Sequence, residues 1–267
     1  MKVAIIADPA KDLMGFGREV GNWLRDNYKA SPNWGCDWNQ IDIAILLGGD
    51  GFIMREGLAM ANHRRPFIAI NCGAKGFLAA AETNNWQEVL GKVFERRYAI
   101  EERPILDVDY FYGGELNSFQ AAGNIYIRHR AYMILFSLTI DGKIVYKELD
   151  GDGVIVANAT GATAYNLAAK GAIISSGLVV TPICPHRLDV VSLPVPESAK
   201  KIEIIYHGRK GGQQDDEGCL FFIDSQKRQI FPGARIEIRK SQEEISLIIP
   251  EGFSFIESLQ KKMGLST

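Results

Sequence analysis

The segment that most constrains the fold runs from Ile41 to Glu56, with the sequence IDIAILLGGDGFIMRE. Its apolar part, Ile43–Leu47, is short enough for a strand that is buried on both faces of a sheet. The strand ends at a Gly-Gly-Asp-Gly turn, and apolar residues then resume at a spacing typical of a helix start. Because such a turn brings backbone N–H groups and the positive end of a helix dipole to one point, it predicts a phosphate-binding turn.

Asp50 is the unusual residue of this turn. A carboxylate beside phosphate is repelled unless it serves a hydroxyl group or a metal ion, so Asp50 is a candidate catalytic residue flanked by Gly49 and Gly51. The alternative is a tight turn in which Asp50 caps the following helix. The tetrapeptide alone leaves both interpretations open.

Composition excludes several classes of protein. The chain has 267 residues, of which 46% are hydrophobic and 23% charged, as in ordinary globular proteins. A formal net charge of −2 argues against nucleic acid and acidic membrane surfaces as partners. The N-terminus has no signal-peptide pattern, and no apolar run is long enough to cross a bilayer. The four cysteines are far apart without a CxxC pair, which argues against zinc and favours a cytoplasmic location.

Residues 1–100 alternate strand and helix patterns. Repeated β-α-β units predict a Rossmann-like α/β domain with a parallel sheet, whose ligands lie at the carboxyl ends of the strands. A connection is expected at Asn33–Asn39. The expected strands and helices are Lys2–Ala7, Phe16–Asn27, Ile43–Leu47, a helix after Gly51, Phe67–Ile70 and Asn85–Glu95.

Residues 101–252 are rich in short strand patterns and predict a mostly antiparallel β-sandwich. One helix, Ala162–Gly171, interrupts them, and His207–Gly218 is expected to be a mobile surface loop. Residues 253–267, with a helix at Phe253–Met263, are expected to pack back on the first domain. The expected strands are Leu106–Tyr112, Asn124–Arg128, Met133–Ile140, Lys143–Leu149, Val154–Ala157, Arg187–Leu193, Lys201–Tyr206, Leu220–Ile223, Ala234–Arg239 and Ile245–Ile249, with a hairpin turn at Asp141-Gly142.

A second candidate segment is Leu149–Gly171, where a Gly-Asp-Gly turn leads into a strand and the start of a helix. Small residues let a flat ring approach the backbone, while threonine hydroxyls and early N–H groups can recognise its edge. Tyr165 can stack on a ring or donate a hydrogen bond. The alternative is that Thr160 caps the helix and Tyr165 belongs to the core, and this segment alone favours neither.

These segments resemble, in the same order, motifs of the NAD kinase family. GGDG alone is shared with lipid kinases and, more loosely, with phosphofructokinases, so the ordered set carries the resemblance. The matching segments are IDIAILLGGDG (41–51), NCGAKGFL (71–78), GDGVIVANATGATAYNLAAKGAII (151–174), TPICPH (181–186) and Phe255–Gly264. The resemblance implies transfer of a phosphoryl group from ATP, or polyphosphate, to the 2′-hydroxyl of the adenosine ribose of NAD, with Mg²⁺ or another divalent cation.

The resemblance also implies roles for individual residues. Asp50 would accept the proton of the ribose hydroxyl or orient it. The nucleotide-binding residues would be Gly49, Gly51, Phe77, Asn124, Asp152, Thr160, Thr163, Ala164 and Tyr165, and no protein side chains stand out as metal ligands. For Phe77 the alternative is core packing, and for Asp152 it is a turn carboxylate.

Three positions depart from the family pattern. Phe52 stands where a threonine usually follows GGDG, and Gly123-Asn124 stands where an Asn-Glu pair is expected. The segment from Asn158 to Tyr165 lacks the family's proline and a serine. These losses keep open a catalytically weak or inactive nucleotide-binding homologue with a regulatory role, and a lipid or sugar kinase remains a third possibility. The family implies a homodimer or homotetramer.

Overall fold

The protein is described from a computed structural model that covers residues 1–33, 40–211 and 219–264. The chain divides into two compact units, Met1–Arg103 with the chain from Glu243 on, and Pro104–Gln242. The boundaries expected from the sequence were 1–100 and 101–252, so the difference lies in residues 101–103 and, mainly, in residues 243–252. These residues group with the first unit because the strand that contains Leu247 pairs with the strand that contains Phe67.

The secondary structure elements are, in chain order, β1 (Lys2–Ala7), α1 (Met14–Tyr28), β2 (Ser31–Asn33), β3 (Ile43–Gly48), α2 (Asp50–Ala61), β4 (Phe67–Asn71), β5 (Ala81–Glu82), α3 (Trp86–Phe94), β6 (Tyr98–Tyr112), β7 (Glu115–Ala121), β8 (Asn124–His129), β9 (Ile134–Ile140), β10 (Lys143–Gly151), β11 (Gly153–Asn158), α4 (Ala159–Ala162), α5 (Tyr165–Ala168), β12 (Leu178–Ile183), β13 (Leu193–Val195), β14 (Ile202–Arg209), β15 (Cys219–Ile223), β16 (Gln226–Gln229), β17 (Arg235–Pro250) and α6 (Phe255–Met263).

The first unit is built on a parallel sheet, as the sequence predicts. β1 pairs with β2 and β3, β3 with β4, and β4 with β5, all in parallel. Every residue of β3 is buried, which explains its unbroken apolar sequence. Apolar side chains of α1 and α3, among them Leu24 and Leu90, pack against this sheet. Because β3 and β4 run in parallel, the two glycine-bearing loops that follow them lie at the same edge of the sheet.

The second unit is a mostly antiparallel β-sandwich, which confirms the predicted fold class. One sheet has the strand order β13-β12-β11-β8-β15-β16. A second group of antiparallel strands contains β10, β9, β14 and the first half of β17, and β6 and β7 form a hairpin. Ile125, Val156 and Phe221 of the first sheet share one buried core with Phe136 and Ile204 of the second group.

Several expected elements were wrong in detail. The helix expected at Ala162–Gly171 is two short helices, α4 and α5, because α4 begins earlier and Ala164 leaves the helical conformation (φ −92°, ψ −125°). The strand expected at Arg187–Leu193 is absent from these described residues, since Arg187 and Asp189 pair in a turn and β13 begins only at Leu193. The two last expected strands are one strand, β17. The strands β2, β5, β7, β12 and β16 were missed.

Some expectations fall partly outside the described residues. This applies to 34–39 in the expected connection, to 212–218 in the expected loop and to 265–267 after the last helix. His207 to Arg209, also expected in that loop, form the end of β14. Within the described part of the chain, every helix is too short or too polar to traverse a bilayer.

Candidate functional site

The Asp50 carboxylate joins the first glycine-rich turn to the second. Gly49 is extended (φ −98°, ψ 173°) and occupies the N-cap position, so Asp50 is the first residue of α2. Its Oδ2 accepts the N–H of Gly76 and its Oδ1 accepts the N–H of Leu78, both at 3.0 Å. The interpretation of Asp50 as the cap of its own helix was therefore wrong, because its carboxylate binds the 71–78 loop.

The two turns also face each other through their glycines. A Cβ atom at Gly73 would lie 3.0 Å from the Cα of Gly49, so the close approach favours a residue without a side chain at position 73, whereas a Cβ at Gly49 would make an ordinary contact with the Cα of Gly73 at 3.7 Å. Lys11 lies here as well, and its Nζ donates to the carbonyl of Cys72 at 2.6 Å. A methyl group at Gly51, by contrast, would meet none of the described atoms within 4 Å. Lys11 was missed, although its place after β1 put it on the expected sheet edge.

The second loop is held in shape by Asn71. Its Nδ2 donates to Glu82 Oε2 at 2.8 Å, and its Oδ1 accepts the N–H of Gly73 at 2.9 Å. Gly76 has a left-handed backbone (φ +66°), and a Cβ there would lie 2.1 Å from Asn71 Cγ. The loop conformation that brings N–H groups to Asp50 thus depends on a glycine at position 76.

Two aromatic residues near these turns pack into the unit. Phe77 is half-buried and lines a small apolar cavity with Phe67 and Leu247, which agrees with the core-packing alternative. Its role beside a nucleotide stays a prediction. Phe52 is 5% exposed, and a Cβ at Gly48 would lie 2.4 Å from its ring. The departure from threonine at position 52 therefore adds core packing in place of a hydroxyl group.

In the second unit, the Gly-Asp-Gly turn presents an exposed carboxylate. The N–H of Asp152 donates to the carbonyl of Ile183 at 2.9 Å, while its side chain is exposed. A Cβ at Gly153 would lie 2.1 Å from the Ile127 carbonyl oxygen, so this glycine permits the close strand packing. Burial, together with the nearby Asp152 carboxylate, raises the pKa of the Cys184 thiol.

The helix start that was predicted to bind a nucleotide is capped by Asn158. Its Oδ1 accepts the N–H of Gly161 at 3.0 Å, and its Nδ2 donates to the Ala122 carbonyl at 2.9 Å. The alternative in which Thr160 is the cap was therefore wrong. A Cβ at Gly161 would lie 2.2 Å from the carbonyl oxygen of Gly123, so α4 lies directly on that segment.

The two threonines of this segment are buried. Thr163 Oγ1 donates to the carbonyl of Thr160 at 3.4 Å. Thr160 is 0% exposed, and its Oγ1 has no hydrogen-bond partner among the described residues. A buried hydroxyl without a partner is uncommon in native proteins and is explained when a ligand supplies the missing contact.

Ala164 and Tyr165 are half-buried beside an aromatic cluster. The ring of Tyr165 lies 4.7 Å from that of Tyr126, which stacks on Phe222 at 4.4 Å. Arg128 Nη1 lies 3.4 Å from the Tyr165 hydroxyl. Tyr126 and Phe222 were not predicted from the sequence, although their alternation with core residues in β8 and β15 was an available signal.

Asn124 is buried at the start of β8, and a carboxylate from a distant hairpin holds its segment. Asp224 Oδ2 accepts the N–H of Ala122 at 2.7 Å, and its Oδ1 accepts those of Gly123 and Asn124 at 3.0 Å. Burial raises the pKa of Asp224, and these three N–H donors oppose that effect. Asp224 was missed because nothing local in the sequence links it to a segment about 100 residues earlier.

The structure thus groups Gly49, Asp50, Gly51 and Phe77 in the first unit, and Asn124, Asp152, Thr160, Thr163, Ala164 and Tyr165 in the second. A carboxylate held at a glycine-rich turn, and a small-residue helix start beside aromatic rings, are parts typical of a phosphotransferase with a nucleotide substrate.

Comparison with known proteins identifies the particular family. The family model for the ATP-NAD kinase N-terminal domain matches residues 35–98, and that for the ATP-NAD kinase C-terminal domain matches residues 124–249. An NAD kinase from Shewanella halifaxensis is 33% identical over 232 residues, which cover 84% of this chain and 73% of that protein. One from Lachnoclostridium phytofermentans is 34% identical over 232 residues, covering 84% and 80%. The chain belongs to the NAD kinase family.

Solved structures agree with the fold. Yeast NADH kinase complexed with NADH has a TM-score of 0.83 at 20% identity, covering 100% of this chain and 88% of that one. An NAD kinase from Archaeoglobus fulgidus in complex with ATP has a TM-score of 0.73 at 24% identity, covering 99% and 98%. At these identities the similarity shows the fold.

Proposed function

We propose that this protein is an NAD kinase that transfers a phosphoryl group from ATP to the 2′-hydroxyl of the adenosine ribose of NAD, giving NADP and ADP. The observation that carries the proposal is the geometry of Asp50. Each of its carboxylate oxygens accepts one backbone N–H bond, from Gly76 or from Leu78. Since a carboxylate offers about four lone-pair sites, acceptor capacity remains for a substrate hydroxyl.

The chemistry follows from these contacts. The ribose hydroxyl oxygen forms the new bond to the γ-phosphorus of ATP, the bond from that phosphorus to the bridging oxygen of ADP breaks, and the hydroxyl proton passes to Asp50. The two N–H donors hold the carboxylate in one orientation, and catalysis of phosphoryl transfer depends mainly on positioning and charge neutralisation. Lys11, beside Gly49 and Gly73, supplies a positive charge suited to phosphate.

A divalent cation fits this proposal as part of the ATP substrate. Among the described residues there is no group of three or more His, Cys, Asp or Glu side chains that could hold a metal ion. Mg²⁺ is usually held by substrate phosphates with one or two carboxylates and several waters, so a protein cage is not required. When bound, the cation neutralises charge on the phosphates. Polyphosphate is the alternative donor.

The second unit supplies the proposed recognition of NAD. The unpartnered hydroxyl of Thr160 supports this role, as does the aromatic cluster around Tyr165. Thr163, Ala164, Asn124 and Asp152 complete the proposed set. The inactive alternative rested on the missing acidic residue beside Asn124, and the relatives reported above, which are named as kinases, do not favour it. We further propose a cytoplasmic homodimer or homotetramer, which light scattering on the purified protein would test.

The direct test measures NADP formation from NAD, ATP and Mg²⁺ with an NADP-specific dehydrogenase. Asp50→Asn should lower kcat by about 10²–10⁴, the usual contribution of a positioned general base. Asp26→Asn, which removes an exposed carboxylate on α1, is the matched control and should retain full activity. Wild-type turnover no higher than that of Asp50→Asn would refute the proposal. Polyphosphate in place of ATP identifies the donor.

A further inference from the structure

We propose that Lys262, near the end of α6, is a positioning residue for Asp50, and this inference rests on the proposed function. Its Nζ donates to the carbonyl of Gly76, the residue whose N–H binds Asp50. The same ammonium lies 3.4 Å from Glu82 Oε1, and the side chain is only 8% exposed. The Lys262 ammonium is thus held against the second glycine-rich loop, and the geometry of that loop indicates what the charge does there.

The loop presents opposite groups to its two charged neighbours. The N–H groups of Gly76 and Leu78 point to the Asp50 carboxylate. The carbonyl of Gly76, which lies between them along the chain, accepts the Lys262 ammonium and the N–H of Ala79 at 3.2 Å. Lys262 therefore holds the Gly76–Phe77 peptide group, which lies between the two peptide groups that donate to Asp50, and so fixes the link between the two donors.

Lys262 also neutralises the carboxylate that shapes the rest of the loop. Glu82 uses one oxygen for Lys262 and the other for Asn71 Nδ2, and Asn71 in turn binds the N–H of Gly73. Lys75 adds a contact in the other direction, because its Nζ donates to the Lys262 carbonyl at 3.1 Å. Helix α6 is thus tied to the loop directly at Lys75 and Gly76, and through Glu82 to Asn71 at the start of the loop.

Loss of the ammonium should act on turnover more than on binding. Without it, the Gly76 carbonyl keeps one donor, Glu82 loses its opposite charge, and the donors to Asp50 are free to shift. Since a misplacement of about 1 Å can cost about 10²-fold in rate, we expect Lys262→Met to lower kcat by about 10- to 100-fold. The KM values for NAD and ATP should change by less than about twofold, because contacts that bind the substrate equally in the ground state and the transition state are preserved.

The experiment compares Lys262→Met with Lys261→Met, which removes the exposed neighbouring lysine of the same helix. Hydrogen exchange at the Gly76 and Leu78 amides gives a readout that does not need activity. It should be faster in Lys262→Met and unchanged in Lys261→Met. Lys262→Arg, which keeps a cationic donor, should restore most of kcat and the slow exchange. Lys262→Gln tests the same loss of charge if the methionine variant does not fold.

Two results would overturn the inference. One is a folded Lys262→Met or Lys262→Gln with the kcat of Lys261→Met, and the other is unchanged exchange at both amides. A variant that loses thermal stability but keeps kcat would show a structural role only, which also contradicts the inference. If the wild-type protein forms no NADP, the proposed function fails, while the exchange data still report whether Lys262 holds the loop.

Discussion

Asp224 provides the sharpest test of how the second unit is held together. Its carboxylate is the acceptor for three consecutive backbone N–H groups, from Ala122 to Asn124. Asp224→Asn keeps Oδ1 for two of these donors but places an NH₂ group against the N–H of Ala122. A hydrogen bond to a charged group contributes about 1.5–3 kcal/mol, so this variant should lower the free energy of unfolding by about 2 kcal/mol.

Asp224→Ala removes the acceptor for all three donors. The loss should reach about 4 kcal/mol, which is less than the sum of three such bonds, because removing a charge that burial disfavours returns part of the energy. Glu115→Gln, an exposed acid at the start of β7, is the control and should change stability by less than about 0.5 kcal/mol.

Urea unfolding followed by circular dichroism measures these differences. Trp23 and Trp86 belong to the first unit and residues 104–242 contain no tryptophan, so tryptophan fluorescence does not report directly on the second unit, whereas dichroism also reports on its strands. Because Asp224 holds the backbone of Asn124, the KM for NAD should rise in Asp224→Asn as well. Stability of Asp224→Asn equal to that of Glu115→Gln would refute the hydrogen-bond reasoning.

Two further predictions concern single side chains of the second unit. Thr160→Val replaces the unpartnered buried hydroxyl with a methyl group. The free energy of unfolding should therefore increase by about 1 kcal/mol, which a thermal scan would show as a melting temperature about 2–4 °C higher. The KM for NAD should rise too, and an unchanged KM would contradict a role in binding. The Ser118 hydroxyl and the Arg239 guanidinium hold the pKa of the Asp109 carboxyl below its usual range, against the effect of burial. This stabilisation is present above the unfolded pKa of about 3.9 and is lost as the pH falls through the lower folded value. Urea titrations at several pH values measure the free energy of unfolding of wild type and of Asp109→Asn. The difference between the two should therefore be constant near neutral pH and should disappear in acid. If the difference in unfolding free energy did not change with pH, ionisation of Asp109 could not be its cause.

The parts of the fold that could be predicted from the sequence are those set by local pattern. The buried strand β3, the glycine-rich turn and the start of α2 follow one another in the chain, so periodicity and turn residues were sufficient. Strand β12 was missed because it contains Pro182, which ordinarily argues against an interior strand, yet this residue pairs with Val154. The early start of α4 was missed because Thr160 resembles a cap, whereas Asn158 performs that task.

The contacts that shape the candidate site could not be predicted, because they join distant parts of the chain. Asp224 binds N–H groups about 100 residues earlier, and Lys262 binds a carbonyl 186 residues earlier. A carboxylate in a hairpin and a lysine on a polar helix both look like ordinary surface residues in the sequence. Asp50 was identified as the catalytic candidate, but the N–H groups that orient it emerge only from the folded loop.

The division of the chain has a consequence for biosynthesis. The first unit needs the residues from Glu243 on, whereas Pro104–Gln242 form a continuous stretch. During synthesis, all residues of the β-sandwich therefore emerge from the ribosome before the last strand segment and the helix of the first unit have been made. Pro104–Gln242 should therefore gain protease resistance before the first unit does, and the loop around Asp50 should acquire its Lys262 contact only after the segment from Glu243 on has been synthesised.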